Sequence, residues 1–299
     1  MEKNIVIPNP GELEKTKKAI SEDGAEKLHV LADFDRTLTT AFVNGESIPS
    51  LISVLRDGNY LTTDYAQKAK ELYAKYHQIE IDSKIPPEQK KKAMEEWWTT
   101  HFDLLIKSGL NKKDLESVVE TGKVKFRDGF ADFIDFLKAR NIPLVIMSSS
   151  GLGGDTISMY LEREGKLGDE LRSSSPSANA RVYDNIYIIS NSYEWDENGS
   201  AIAVKEPIIH LMNKDETAVQ DFPVVFDTIK NRRNVLLLGD NLEDIGMVTG
   251  FDYDNLIKIG FLNENIEENL EQYKRNFDVV ILNDSSLNYI NGLLKEIIK

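Results

Sequence analysis

The chain has 299 residues, 41% hydrophobic and 29% charged, a balance that excludes a disordered polymer, and its length predicts a sizeable core and two units. Its net charge of −14 argues against non-specific binding to nucleic acid or to anionic membrane surfaces, and the absence of cysteine excludes disulfides, thiolate catalysis and cysteine-ligated zinc. No apolar run approaches the ~18 residues of a transmembrane helix, and the N-terminal MEKNIVIPNPGELEK lacks the apolar centre of a secretory signal, so a cytoplasmic protein is expected.

In chain order, the first buried strand is expected at Leu28–Asp33, running into DFDRTLT. Asp33 and Asp35 lie two residues apart, with Thr37 and Thr39 continuing the alternation, and strand periodicity would bring both carboxylates to one face at the strand's end. From about Ala41 to Gly122 helical patterns dominate, over Thr63–Tyr76, Pro86–Ser108 and Lys112–Glu120, with Pro87 suited to a first helical turn and Gly109 and Gly122 to helix ends. Beyond them come a helix at Gly129–Arg140, a strand at Ile142–Ser148, a helix at Asp155–Glu164 and a strand at Ile186–Ser190. A helix at Phe222–Asn231 precedes strands at Val235–Asp240 and Leu256–Gly260; a helix at Asn265–Asn276, a strand at Asp278–Leu282 and a helix at Ser285–Ile298 follow. The Ser-rich stretch 172–184 reads as a surface loop, and YEWDENGSAIAV (193–204) as a small hairpin turning at Asn198-Gly199.

Near-continuous apolar runs such as NVLLLGD and IPLVIMS indicate strands covered on both faces. The alternation as a whole predicts an α/β fold, a Rossmann-like parallel sheet with helices on both faces, formed by residues 1–40 and 122–299. Residues 41–121 would be an inserted helical cap above the carboxyl ends of the strands, where open α/β sheets bind ligands.

Acids gather at those strand ends. Alone, DxDxT fits a polar exit from a strand equally well. An EF-hand calcium loop is excluded, because Leu38 stands where glycine is needed and Asn44 where glutamate is needed. What remains is a shared hard cation such as magnesium, which takes one or two carboxylates together with substrate phosphate. In LLLGDNLEDIGM, Asp240 ends a second apolar strand and Asp244 follows four residues on; either is also a favourable helix cap, but with Asp33 and Asp35 they make a convergent set of carboxylates. IPLVIMSSSGLGG carries a third strand into Ser148, Ser149 and Ser150 and a glycine-rich turn, which is turn chemistry or a cradle for phosphate oxygens. Lys214, in HLMNKDE, is either a solvated surface lysine or the cation of this site.

Together DFDRTLT, SSSGLG, Asn213-Lys214 and GDNLED resemble the four ordered motifs of the haloacid dehalogenase superfamily of phosphotransferases. More narrowly, the chain is similar to the cytosolic pyrimidine 5′-nucleotidases of type III. That likeness rests on YHQIEID (76–82), EEWW (95–98), NIPLVIMSSSGLG (141–153), IIHLMNK (208–214), NVLLLGDNLED (234–244), LIKIGFLNE (256–264) and NGLL (291–294). The resemblance implies a haloacid dehalogenase-like core and magnesium-dependent hydrolysis of nucleoside 5′-monophosphates, UMP and CMP first. Variants of that expectation are 7-methylguanosine monophosphate, a non-nucleotide phosphomonoester, or transfer of the phosphoryl group to another alcohol; a silent nucleotide-binding protein is the expectation from another class.

It further implies roles. Asp33 matches the nucleophile that becomes an aspartyl-phosphate, and Asp35 the acid/base that protonates the leaving ribose oxygen and then activates water. Ser149, helped by Ser150 and Gly151 and with Thr37 in the first motif, falls on the substrate side; Lys214 neutralises Asp33 and the phosphoryl oxygens. Magnesium would be held by Asp33, the main-chain carbonyl of Asp35 and Asp240, with Asp244 close by. Glu80 matches a cap carboxylate that meets the polar edge of the base, Trp98 an aromatic at the base pocket, and Tyr76 and His77 its wall. From the residues alone, Trp97 and Trp98 read equally well as helix core, whereas Glu80 between Ile79 and Ile81 calls for a partner. Two departures stand out: Arg36 where an apolar residue is usual, and a long polar stretch at 166–184. A small-molecule substrate is the expected partner, with no nucleic acid, membrane or protein implied.

Overall fold

The computed structural model describes residues 4–82, 84–164, 184–214, 222–249 and 252–299. Its strands are β1 (Ile5–Val6), β2 (Leu28–Ala32), β3 (Phe42–Val43), β4 (Glu46–Ser47), β5 (Leu144–Ser148), β6 (Ile186–Ser190), β7 (Tyr193–Trp195), β8 (Ala201–Val204), β9 (Asn234–Gly239), β10 (Asn255–Leu262) and β11 (Val279–Leu282). Seven form one sheet in the order β1-β11-β10-β9-β2-β5-β6, parallel except for β1 against β11. The predicted strands are therefore present in a mostly parallel sheet. β1 was not expected, because two residues are too short to show a period.

The register levels the strand ends that matter. Ala32 lies opposite Leu238 on β9 and Ile146 on β5, so Asp33, Gly239 and Met147 stand at one height. From β2 the chain builds outward to β5 and β6 on one side and to β9, β10 and β11 on the other, a reversal that opens a crevice at the carboxyl ends. Side chains alternate between two apolar layers: Val30, Ala32, Ile146, Leu236 and Leu238 pack in one, Leu31, Val145, Met147 and Leu237 in the other. Each such fully buried side chain contributes roughly 1.5–3 kcal/mol of transfer free energy, which is why the β9 run has no polar face.

Helices flank the sheet: α1 (Pro10–Asp23), then, after the insertion, α6 (Phe130–Ala139), α7 (Gly153–Glu164), α8 (Pro223–Ile229), α9 (Ile266–Asn276) and α10 (Asn288–Ile297). Between them residues 41–121 contribute no strand to the main sheet. They form the β3–β4 hairpin and α2 (Leu51–Asp57), α3 (Tyr65–Ile81), α4 (Pro87–Lys107) and α5 (Lys112–Glu120). α5 begins with a reciprocal cap, in which the Asn111 side chain accepts from Lys113 N–H at 3.0 Å and Asp114 accepts from Asn111 N–H at 2.8 Å. α4 starts at Pro87 as expected, and Gly109 and Gly122 both lie at positive φ just beyond α4 and α5. Part of the insertion shares the main apolar layer with the sheet through Leu51, Leu55, Phe102, Leu105 and Leu115, while Tyr76, Met94 and Trp97 form a small cluster of their own.

Two expectations change, one at a helix end and one just past β2, while a third is met. The helix read as Thr63–Tyr76 continues to Ile81, so Glu80 is helical and Ile79 and Ile81 do not alternate with it as strand neighbours. The hairpin at 193–204 forms as β7 and β8, whereas residues 172–183 of the expected loop lie outside the described residues. The alternation from Asp33 to Thr39 does not persist: the strand stops at Ala32, and Arg36, at φ 62°, turns the chain. No helix among the described residues is long and apolar enough to cross a membrane.

Candidate active site

Asp33 follows the last residue of β2, and its N–H donates to Leu238 O on β9 at 3.0 Å, which pins the first acid to the neighbouring strand. Asp240 follows β9. Between these acids sits Lys214, 3% exposed, whose ammonium donates to Asp33 Oδ1 at 2.5 Å and to Asp244 Oδ1 at 3.0 Å. The surface reading of Lys214 is thus excluded. The lysine is delivered by a single turn, Leu211–Asn213, in which Asn213 accepts from His210 N–H at 2.7 Å and donates to Ile208 O at 2.8 Å.

Both readings of Asp244 hold at once. One oxygen accepts from Lys214, while the other accepts from the N–H groups of Asp240 (3.1 Å) and Asn241 (3.0 Å), capping the turn that starts at Leu242. This fold-back explains Gly239: a Cβ there would stand 2.5 Å from Asp244 Cβ, so only glycine admits the carboxylate.

One oxygen each from Asp33, Asp240 and Asp244 lies within 4.8 Å of the others. An octahedral ion with bonds of about 2.0–2.1 Å needs oxygen separations of about 3 to 4 Å, and an all-oxygen donor set suits a hard cation, so these residues fit one. The Asp35 carboxylate is not part of this trio. It is half-buried, and burial pushes its pKa up to about 6 despite the opposing charges of Lys214 and Arg36. Burial also raises Asp33 and Asp240 well above the usual carboxylate range. Lys214 moves the other way: burial alone would lower it, and the two carboxylates raise it above the ordinary lysine value.

The serine loop after β5 is shaped from within. Ser150 N–H donates to Ser148 Oγ at 3.2 Å and Ser150 Oγ accepts from Leu152 N–H at 3.3 Å, so Ser150, expected to reach a ligand, is spent on the loop itself. Ser149 is half-buried, with no hydrogen bond from its side chain among the described residues. Two residues without any sequence signal hold this loop from behind. Asn191 donates to Ser150 O (3.3 Å) and Ile209 O (2.9 Å), linking it to the segment that leads to Lys214; Tyr193 donates to Gly151 O at 2.5 Å.

From the insertion, Trp98 reaches the same loop. A Cβ on Gly151 would stand 2.8 Å from Trp98 Cζ3 and 3.3 Å from Ile52 Cγ1, so the glycine permits a close approach of α2 and α4. Trp98 is half-buried and stacks between Trp97 (5.7 Å) and His101 (5.8 Å), whereas Trp97 is core, flat against Tyr76 at 5.8 Å. Glu80 finds its partner on its own helix, accepting from His77 Nδ1 at 2.9 Å, and Tyr73 stacks on His77 at 4.6 Å. Tyr76 is buried and donates to Glu96 at 2.5 Å; it belongs to the helix cluster and not to an open wall. Thr37 is buried, 3.4 Å from Asp240 Oδ1. Arg36 points its side chain to Glu264 at 2.6 Å, and its N–H donates to Thr39 Oγ1 at 2.8 Å.

A family model described as pyrimidine 5′-nucleotidase (UMPH-1) matches residues 36–298. The chain is 34% identical over 292 residues to 7-methylguanosine phosphate-specific 5′-nucleotidase A of Xenopus laevis, covering 97% of this chain and 94% of that protein. It is 32% identical over 295 residues to the 7-methylguanosine phosphate-specific 5′-nucleotidase of Gallus gallus, covering 98% and 96%. In three dimensions it is similar to cytosolic 5′-nucleotidase IIIB bound to cytidine, with a TM-score of 0.86, 24% identity and coverage of 99% and 94%. A HAD-family hydrolase from Salmonella enterica serovar Typhi shares the fold, with a TM-score of 0.54, 15% identity and coverage of 93% and 73%. The chain belongs to the UMPH-1 pyrimidine 5′-nucleotidase family and is a phosphoric monoester hydrolase, a 5′-nucleotidase on a haloacid dehalogenase-like fold.

Proposed function

We propose that the chain hydrolyses nucleoside 5′-monophosphates with magnesium, through an aspartyl-phosphate on Asp33. The observation that carries this reading is the buried Lys214 ammonium bonded to both Asp33 and Asp244, beside Asp240. In the first step an Asp33 oxygen bonds to phosphorus as the P–O5′ bond breaks, and Asp35 gives its proton to the departing ribose oxygen. In the second, Asp35 takes a proton from water, whose oxygen attacks phosphorus and releases Asp33 and phosphate. The raised pKa of Asp35 suits both directions of transfer. Lys214 and Ser149 hold the phosphoryl oxygens and keep the attack in line. Asp33, Asp240 and the main-chain carbonyl of Asp35 would hold magnesium, with Asp244 positioning the set; when bound, the ion supplies the positive charge that an acidic site needs to receive a phosphate dianion.

Residues 41–121 serve in this reading as a cap that reads the base, Trp98 offering a ring face and Glu80, steadied by His77, a carboxylate for N–H donors. UMP and CMP are the leading substrates. A second reading, 7-methylguanosine monophosphate, is favoured by the names of the curated relatives and by chemistry, since a cationic purine suits an aromatic face beside a carboxylate. Action in the cytoplasm is part of the proposal. Phosphate release from UMP, CMP, dTMP, AMP and 7-methyl-GMP with and without magnesium tests it. Turnover of none of these, or undiminished turnover with the ion chelated, overturns it.

A further inference from the structure

Arg127 is the bulkiest charged side chain among the fully buried described residues, 1% exposed, in the segment KVKFRDGF. Its guanidinium is spent on the turn that carries Asp35. Nε donates to Thr37 O at 2.7 Å and Nη2 to Arg36 O, while the Arg127 N–H donates to Leu38 O at 3.0 Å. Groups beyond two other strands fix the fork in place. Asn263, just past β10, accepts from Nη2 at 2.8 Å and itself donates to Arg36 O at 3.0 Å. Asp284, just past β11, pairs with Nη1 at 2.8 Å and accepts from the N–H groups of Ala41 (2.8 Å) and Phe42 (2.9 Å). Beneath it the guanidinium carbon lies 4.2 Å from the centre of the Phe261 ring.

We propose that Arg127, locked by Asn263 and Asp284, is a positioning residue that sets the direction of the Asp35 carboxyl by clamping the two carbonyls that follow it. Within the turn, Thr39 N–H donates to Phe34 O at 3.2 Å and Thr39 Oγ1 accepts from Arg36 N–H at 2.8 Å, whereas the carbonyls of Arg36 and Thr37 are held by donors from outside it. The clamp also spans the junction, since Asp284 holds the first residues of the insertion while Arg127 stands where the chain returns, next to the Thr39–Phe126 bridge. A planar fork can grip both carbonyls at once; a lysine ammonium keeps the charge but not that geometry.

The inference rests on the reading of Asp35 as the proton donor to the leaving group, and leaving-group dependence separates the two. kcat/KM reports events up to departure of the leaving group. A nucleoside needs a proton as it leaves; p-nitrophenolate does not. For Arg127→Lys and Asn263→Ala, with magnesium, kcat/KM on the best nucleoside 5′-monophosphate should fall about 10- to 100-fold. On p-nitrophenyl phosphate it should fall far less, with Asp35→Asn showing the same selective loss and thermal melting showing the variants folded. Equal losses on both substrates, or no loss, in both clamp variants while Asp35→Asn keeps its selectivity would overturn the clamp and leave the reading of Asp35 intact. Equal losses in Asp35→Asn would remove the reading of Asp35 and the inference with it. Arg127→Lys retains an ammonium for Asp284, and Asn263→Ala leaves the buried ion pair untouched, so one variant remains informative if the other unfolds.

Discussion

At the sheet end of the candidate site, Asp33, Ser149 and Asp240 come from three separate strand ends and Lys214 from a distant loop; at the helical end, Tyr73, His77, Glu80 and Trp98 come from two neighbouring helices. The partners differ in reach accordingly. Lys214 bonds to Asp33 across 181 positions, whereas Glu80 meets His77 one turn away. At the sheet end Asp33, Asp244 and Lys214 are buried and hold one another's charge, so a single change among them strands a neighbour; the helical end is half-exposed, and its contacts are replaceable. In the proposed reading, a rigid frame keeps the reaction, while a locally encoded surface can change its ligand without disturbing the frame.

The largest expected effect lies at the sheet end. Asp33→Asn should reduce phosphate release by about 10³-fold or more and leave no acid-trappable phosphoenzyme, in a chain that still melts cooperatively. Survival of activity would erase the distinction between the two ends. Lys214→Met should cost roughly 10²- to 10³-fold in kcat. Without metal it should also lower stability to urea by about 3–5 kcal/mol, because Asp33 and Asp244 lose a buried counter-charge. Gly151→Ala probes the junction: its Cβ would stand 2.8 Å from Trp98 Cζ3, and nucleotide turnover should fall about tenfold. Adding Trp98→Leu should recover part of that loss, a non-additivity on the order of 0.5–3 kcal/mol. Glu80→Gln should raise KM for nucleotides only about five- to tenfold, the cost of one charge-assisted hydrogen bond, and leave p-nitrophenyl phosphate turnover unchanged. The smallest effect is a pH trend. Burial raises the folded pKa of Asp35 from 3.8 to about 6 and raises Asp33 as well, so the stability that comes from protonating them is complete below about pH 4 and is lost as pH rises through 6. The melting temperature of metal-free protein should therefore drift down between about pH 5 and 8, and magnesium should raise it more at the upper end. An equal magnesium increment at both pH values would count against the acidic trio as the binding set.

Much of this was legible in the sequence where a signal is local. Apolar runs ending in Asp33, Ser148 and Asp240 marked strands covered on both faces, and Pro87, Gly109 and Gly122 marked helix limits. Three kinds of feature were not legible. Ile5–Val6 is too short for periodicity and is a strand only because β11 offers an edge. The helix read as ending at Tyr76 runs on to Ile81, because HQIEI carries no glycine or proline to stop it. Asn191 and Arg127 lie in stretches without a motif, and Lys214 stood out only through the family resemblance; their burial depends on partners far along the chain, which no window of neighbouring residues contains.

The place of β2 in the sheet has a consequence for how the protein is made. This strand precedes both of its neighbours in the chain, β5, residues 144–148, and β9, residues 234–239, while β1 pairs with β11 at the far edge. Asp33 gains its backbone anchor at Leu238 only once β9 has joined β2. A chain cut before β9 therefore holds Asp33 without this anchor and without Asp240.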